Sequence, residues 1–247
     1  NPDFSQVEAD AGQISVNERF ALFFPEKRPF FLEGTEIFNL PKQLVYTRSI
    51  SNPVGGAKMT GKAGAWNVGY LGAVDDAYDG GDNTLANILR VRRDLGASST
   101  LGMVYTDRTR HADDYNRLMG VDARMVLARR YTLTFLGSGS VTREAGAERT
   151  VGGLWSARVD RAGRAFSFSA EVEDSNDAFV AGSGFIRRVG VSEVQSNVRY
   201  SFFGARGSLV ERWGPSLEIQ GTWAHDDFWA GRAPEEGQLQ LNTSVSF

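Results

Sequence analysis

Residues 119–135 read MGVDARMVLARRYTLTF, and the fold turns on how this stretch is read. Met119, Val121, Ala123, Met125 and Leu127 alternate with Gly120, Asp122 and Arg124. Beyond Arg129-Arg130, Tyr131, Leu133 and Phe135 alternate with Thr132 and Thr134. A period of two sends successive side chains to opposite faces of a strand. The stretch therefore predicts two antiparallel strands joined by a tight turn, each with one apolar and one polar face.

The same alternation recurs on both sides. Trp66, Val68, Tyr70 and Val74 share a face, with Leu71 breaking the pattern. Val151, Trp155, Ala157 and Val159 oppose Ser156, Arg158 and Asp160, and Phe166, Phe168, Ala170 and Val172 oppose Ser167, Ser169, Glu171 and Glu173. Val194, Val198 and Tyr200 oppose Gln195, Asn197 and Arg199, Leu217 and Ile219 oppose Glu218 and Gln220, and Leu239, Leu241 and Val245 oppose Gln238, Gln240 and Asn242. Counting 43–50 as an extra first strand gives about twelve, and further strands are expected if the chain is a fragment. Phe247 alternatively resembles the last residue of a closing barrel strand. The chain is all-β.

Short joins such as Gly64-Ala65, Arg161-Ala162-Gly163 and 204–207 alternate with longer polar segments at 75–83, 143–149, 175–193 and 224–237, and a loop is expected through Arg108, His111 and Asp114. This asymmetry, strands of about 9–11 residues, and Trp66, Tyr105, Tyr131, Phe166, Trp223 and Phe247 near strand ends predict an up-and-down transmembrane β-barrel over 43–247. A soluble barrel or sandwich shares the alternation and is the competing reading. No run approaches the 18 apolar residues of a spanning helix. A net charge of −3 argues against a nucleic-acid partner, and the absence of Cys excludes thiolate chemistry. Outer-membrane lipid is the expected surrounding.

Residues 1–42 differ. FFPEKRPFFLEG at 23–34 packs aromatic pairs around charges and two prolines, which preclude a central strand. Such a segment is expected to plug or constrict a lumen, with Glu26, Lys27, Arg28 and Glu33 facing inward Asp122, Arg124, Arg158, Glu171 and Arg199. Asp75, Asp76, Asp79 and Asp82 offer oxygen ligands of the kind Ca²⁺ takes, without EF-hand spacing, and such residues equally form solvated turns. His111 and His225 both stand among acids. No nucleophile elbow, Walker loop or His-Glu-x-x-His pair is present.

NPDFSQVEAD at 1–10, FFPEKRPFFLEG at 23–34, and Gly55-Gly56-Ala57-Lys58 with Thr60-Gly61-Lys62 resemble domain-of-unknown-function family 5916. The resemblance implies a bacterial protein with a signal peptide, an upstream module similar to family-nine carbohydrate-binding domains, and an outer-membrane-like β region. It implies no established activity. The start at Asn1-Pro2 is read as that of a fragment. Three functions follow as expectations: a pore or uptake barrel for an extracellular, saccharide-like solute; a carbohydrate-active surface enzyme using a carboxylate pair such as Glu171/Glu173; or a structural anchor for the upstream domain.

Overall fold

A computed structural model describes residues 23–77, 81–205 and 207–247. Twelve strands form one sheet: β1 (Pro53–Ala63), β2 (Trp66–Asp75), β3 (Thr84–Leu95), β4 (Ser99–His111), β5 (Asp114–Leu127), β6 (Tyr131–Arg143), β7 (Thr150–Arg161), β8 (Phe166–Ser175), β9 (Val191–Tyr200), β10 (Phe202–Phe203), β11 (Arg212–Ala224) and β12 (Glu236–Ser246). Every pairing is antiparallel, and consecutive long strands are neighbours from β1 to β9. β9 and β10 pair with β11 in one continuous register, so they are a single strand interrupted at Ser201. No pairing joins β12 to β1 among the described residues, and the sheet is open at both edges. No helix among them is long and apolar enough to cross a membrane, which says nothing of crossing by strands.

Three expectations need correcting. Residues 43–50 form no strand of the sheet; they run extended into a 3-10 turn at Thr47–Ser49. The count of twelve survives because the predicted strand at 194–203 is divided in two. The loop expected through Arg108, His111 and Asp114 is a two-residue turn, since β4 runs on to His111 and β5 begins at Asp114. Consequently Tyr105 lies in mid-strand rather than at a strand end.

The register sorts the side chains cleanly. The outer face carries Met59, Leu89, Leu101, Met119, Val121, Leu133, Phe135, Val198, Ile219, Leu239 and Leu241, all exposed. Of its strand charges, Arg93 and Arg161 lie beside the short turns, Arg143 and Asp174 at the other end, and the paired Asp107 and Arg117 between that end and the middle. Rings gather at those ends too. Trp66, Tyr131, Phe166, Phe168, Tyr200 and Trp213 lie on the short-turn side, with Arg93 over Trp66 and Arg161 over Phe166. Tyr115 and Trp223 lie on the opposite side, and Trp155 lies in mid-strand.

The inner face carries the core, which lies not between two sheets but between the sheet and its own N-terminal segment. Phe31, Ile37, Phe38 and Ile50 bury against Leu71, Ala73, Ala86 and Ile88. Leu44 buries against Val104, Leu118, Leu136 and Leu154, joined by Phe179 from the β8–β9 connection. Leu71, the residue that interrupts the alternation, is thereby explained: it faces inward, 1% exposed, beneath the segment. Burying one such Leu contributes about 1.5–3 kcal/mol.

Candidate functional site

Two chain segments fold onto the inner face. The first is 23–52, in which Pro29–Leu32 form the short helix α1 and Thr35–Phe38 a 3-10 turn. Pro29 stands at the helix start, where its missing N–H goes unneeded. The second is 176–190, between β8 and β9. The two segments bond to each other: Tyr46 N–H donates to Ser183 O at 2.7 Å and Phe185 N–H to Gln43 O at 2.8 Å. Residues 43–46 are thus extended and bonded like a strand, but to this connection and not to β1.

Polar side chains of the sheet grip both segments by their backbones. Arg108 donates to Ser49 O at 2.7 Å, and Asp75 accepts from the N–H groups of Asn52 at 2.6 Å and Ser51 at 3.2 Å. Lys58 donates to the carbonyls of Phe30 and Glu33. Asn116 holds the second segment through Val180 O and the Gly182 N–H. The most deeply buried of these side chains is Arg90, 1% exposed, whose guanidinium makes two bonds to Asp122 at 2.5 and 2.9 Å and a third, to Ile37 O of the segment, at 3.3 Å. To reach β5 from β3 the guanidinium crosses Gly102 of β4, where an added Cβ would lie 2.5 Å from it.

Within the first segment, Arg28 is a clamp and not an exposed charge. It is buried, stacks on Phe31 at 4.2 Å, and donates to Glu26, Thr47 O and Ile50 O. Burial pushes the Glu26 carboxyl up, but the bonds from Arg28 and Thr47 outweigh it and hold its pKa at about 2. Lys27 and Glu33 lie exposed.

On β8–β12 the inner face is polar and largely open, with Ser216 and Thr222 buried. The register aligns it in rows across β8, β9, β11 and β12: Glu173, Glu193, Thr222 and Glu236; then Glu171, Gln195, Gln220 and Gln238; then Ser169, Asn197, Glu218 and Gln240. Lys42 reaches this face from the first segment, 2.9 Å from Glu171 and in contact with Glu173. Burial lowers the Lys42 pKa, but the two carboxylates more than reverse this, leaving it raised. Arg158 bridges Glu171 at 3.1 Å and Asp160 at 2.8 Å. The ammonium occupies the space between Glu171 and Glu173, where a glycosidase would place the scissile bond.

Between this face and the two folded-in segments lies a cleft of about 600 Å³, lined by Phe23 and Lys42 of the first segment, Phe185 to Arg188 of the second, and Glu173, Glu193 and Glu236 of the sheet. Phe23, Tyr46 and Phe185 form a three-ring cluster with centroids 5.3–5.5 Å apart.

Of the residues singled out by sequence, Glu171 and Arg158 meet in a smaller pocket outside the cleft lining, with Gln195 and Glu218, and Asp122 is buried with Arg90. Arg124 is exposed and caps the β3–β4 turn through Ser98 O at 2.8 Å, while Arg199 is exposed between Ser167 and Ser216. Arg90, Lys42, Glu193 and the whole inward course of 176–190 escape the sequence reading. The acids proposed for Ca²⁺ serve separate partners: Asp75 the segment backbone, Asp76 the Asn52 amide at 3.4 Å, and Asp82 His111 at 3.1 Å; Asp79 lies outside the described residues. Among the described residues no three His, Asp or Glu are grouped to hold a metal ion. His225 starts the short helix α2 (His225–Trp229) and meets buried Asp174 at 2.8 Å, a carboxylate that also accepts from Ser192 and Trp155.

Residues 1–64 match the model of the family described as Domain of unknown function (DUF5916). The match covers about a quarter of the chain and ends just past β1, taking in the described part of the segment that docks on the inner face. No curated protein and no solved structure matches the chain.

Proposed function

With residues 1–64 assigned to the DUF5916 family, we propose that residues 53–247 form wall strands of a transmembrane β-barrel of the outer-membrane type. Segment 23–52 and the 176–190 connection occupy its lumen, and the cleft along β8–β12 is the passage left for a small hydrophilic solute. One observation carries this reading: the outer face is mainly apolar and exposed on most of the long strands, its charges lie away from the strand centres, and rings stand beside several of them. Lipid satisfies such a face, whereas water penalises an apolar surface far above a few hundred Å². The opposite face is dry only where chain covers it and polar where nothing does, as a lumen requires.

Phe135, on the outer face in the middle of β6, tests the reading. Phe135→Arg is expected to cost roughly 2–4 kcal/mol of stability in lipid, the penalty for a cation near the bilayer midplane, while Phe135→Leu is tolerated. Folding into vesicles, followed by urea titration, measures both. A protein that is monomeric in buffer without detergent, and indifferent to Phe135→Arg, overturns the proposal.

A further inference from the structure

The cleft separates charge by structural element. Its cations, Lys42, Arg187 and Arg188, come from the two folded-in segments, and its carboxylates, Glu173, Glu193 and Glu236, come from the sheet. Lys42 is committed to Glu171 and Glu173. Glu193 is the direct cross-strand partner of Glu173 on the same face, an arrangement of like charges that destabilises a sheet unless something cationic joins it. Among the described residues the Glu193 and Arg187 side chains make no hydrogen bond or ion pair, and Arg188 has a long ion pair with Glu235, at 3.8 Å. A carboxylate and a guanidinium therefore remain unpaired on opposing walls of one cavity.

We propose that the cleft takes a zwitterionic solute the size of a short peptide, its ammonium against Glu193 and Glu236 and its carboxylate against Arg187 and Arg188. The assignment rests on the lumenal reading above. A neutral polyol offers hydroxyls to both walls but neutralises neither, and a singly charged solute leaves one wall unpaired as it loses water. A zwitterion answers both at once and aligns with the transverse field. The volume of about 600 Å³ suits a molecule of this size, and Phe23 and Phe185 give it an apolar wall for a side chain.

Proteoliposomes carrying the full-length protein test this through the influx of alanyl-alanine, its N-acetyl derivative, its C-terminal amide, and xylitol as a neutral solute of similar size. At low salt alanyl-alanine is expected to enter about fivefold faster than the other three, and the advantage shrinks as salt screens the walls. Glu193→Gln removes the advantage over the N-acetyl anion, and Arg187→Gln removes the advantage over the amide. Equal influx of all four solutes, or xylitol leading, overturns the zwitterion assignment and leaves the lumen standing. A membrane-inserted protein that admits none of them overturns the passage as well.

Discussion

On β2–β7 the inner face holds Leu71, Ile88, Val104, Leu118, Leu136 and Leu154; on β8–β12 the equivalent inward positions hold Glu171, Glu193, Gln195, Glu218, Gln220 and Gln238. Both halves share strand length, register rules and an apolar outer face. They differ in what covers them. Segment 23–52 lies mainly over the aliphatic half, reaching the polar half through the Lys42 ammonium and, across the cleft, through Phe23. A single sheet thus carries a dry half, where a second piece of chain supplies a core, and a wet half, where carboxamides and carboxylates remain accessible. The inward residues, rather than the strands, decide which half the segment occupies.

One Arg–carboxylate arrangement lies within the covered half and another, of Arg158 with Glu171, spans the seam between the halves, and the two should respond very differently to loss of one partner. Asp122→Ala strands Arg90 at 1% exposure with only Ile37 O for company. A cost of about 3–5 kcal/mol is expected, because an uncompensated buried charge outweighs a missing contact. Glu171→Gln leaves Arg158, nearly half exposed, with Asp160 still at 2.8 Å, and the expected cost is below about 1 kcal/mol. Urea titration of both variants in vesicles gives the ratio. Similar losses would mean that the covered half is wet after all.

The contrast between the halves also marks what the sequence discloses. The outer stripe of each strand is legible because its period of two is independent of what lies behind the sheet. Leu71 carries a trace of the cover, as an apolar residue on the wrong parity. Asp122 is visible as a mid-strand charge, but its partner is not: Arg90 lies two strands away and reaches it only because Gly102 has no side chain. The course of 176–190 leaves no trace either. Asn176, Asp177, Gly182, Ser183 and Gly184 suit an outer loop as well as an inward one, and the choice rests on Phe179 meeting Leu154, a contact across the sheet. Residues 43–50 misread for a related reason, since 43–46 do run extended and bonded, with a partner that lies about 140 residues further on.

Acid should detach the cover without dissolving the sheet. Glu26, Arg28, Thr47 and Ile50 tie the two ends of the described segment together, and the Glu26 carboxyl has its pKa depressed from 4.5 to about 2. A depressed carboxylate contributes stability that is fully present above the unfolded value and is lost as pH falls through the folded one. Hydrogen-exchange protection in 28–50, taken relative to the intrinsic rate at each pH, should therefore be constant from neutrality to about pH 5, fall progressively towards pH 2, and leave β3–β6 protected. Glu26→Gln should show the lower protection already at neutral pH, with this acid step removed. Simultaneous loss of protection in the strands would show that cover and sheet unfold as one unit.

The smallest effect belongs to the residue that joins the halves. Lys42 is a partly exposed ammonium between Glu171 and Glu173, so Lys42→Gln is expected to cost no more than about 1 kcal/mol of stability. Its electrical consequence is larger than its structural one. Without the ammonium, Glu173, Glu193 and Glu236 face the cleft with one cation fewer, and a carboxylate-rich wall favours cations. The reversal potential across a bilayer under a salt gradient should shift towards cation preference, and the double variant Lys42→Gln/Glu173→Gln should return it most of the way, because the second change removes the charge that the first exposed. An unchanged potential in both variants would place Lys42 away from any ion path. The open half would then be an exposed polar surface, and the difference between the halves would be one of packing alone.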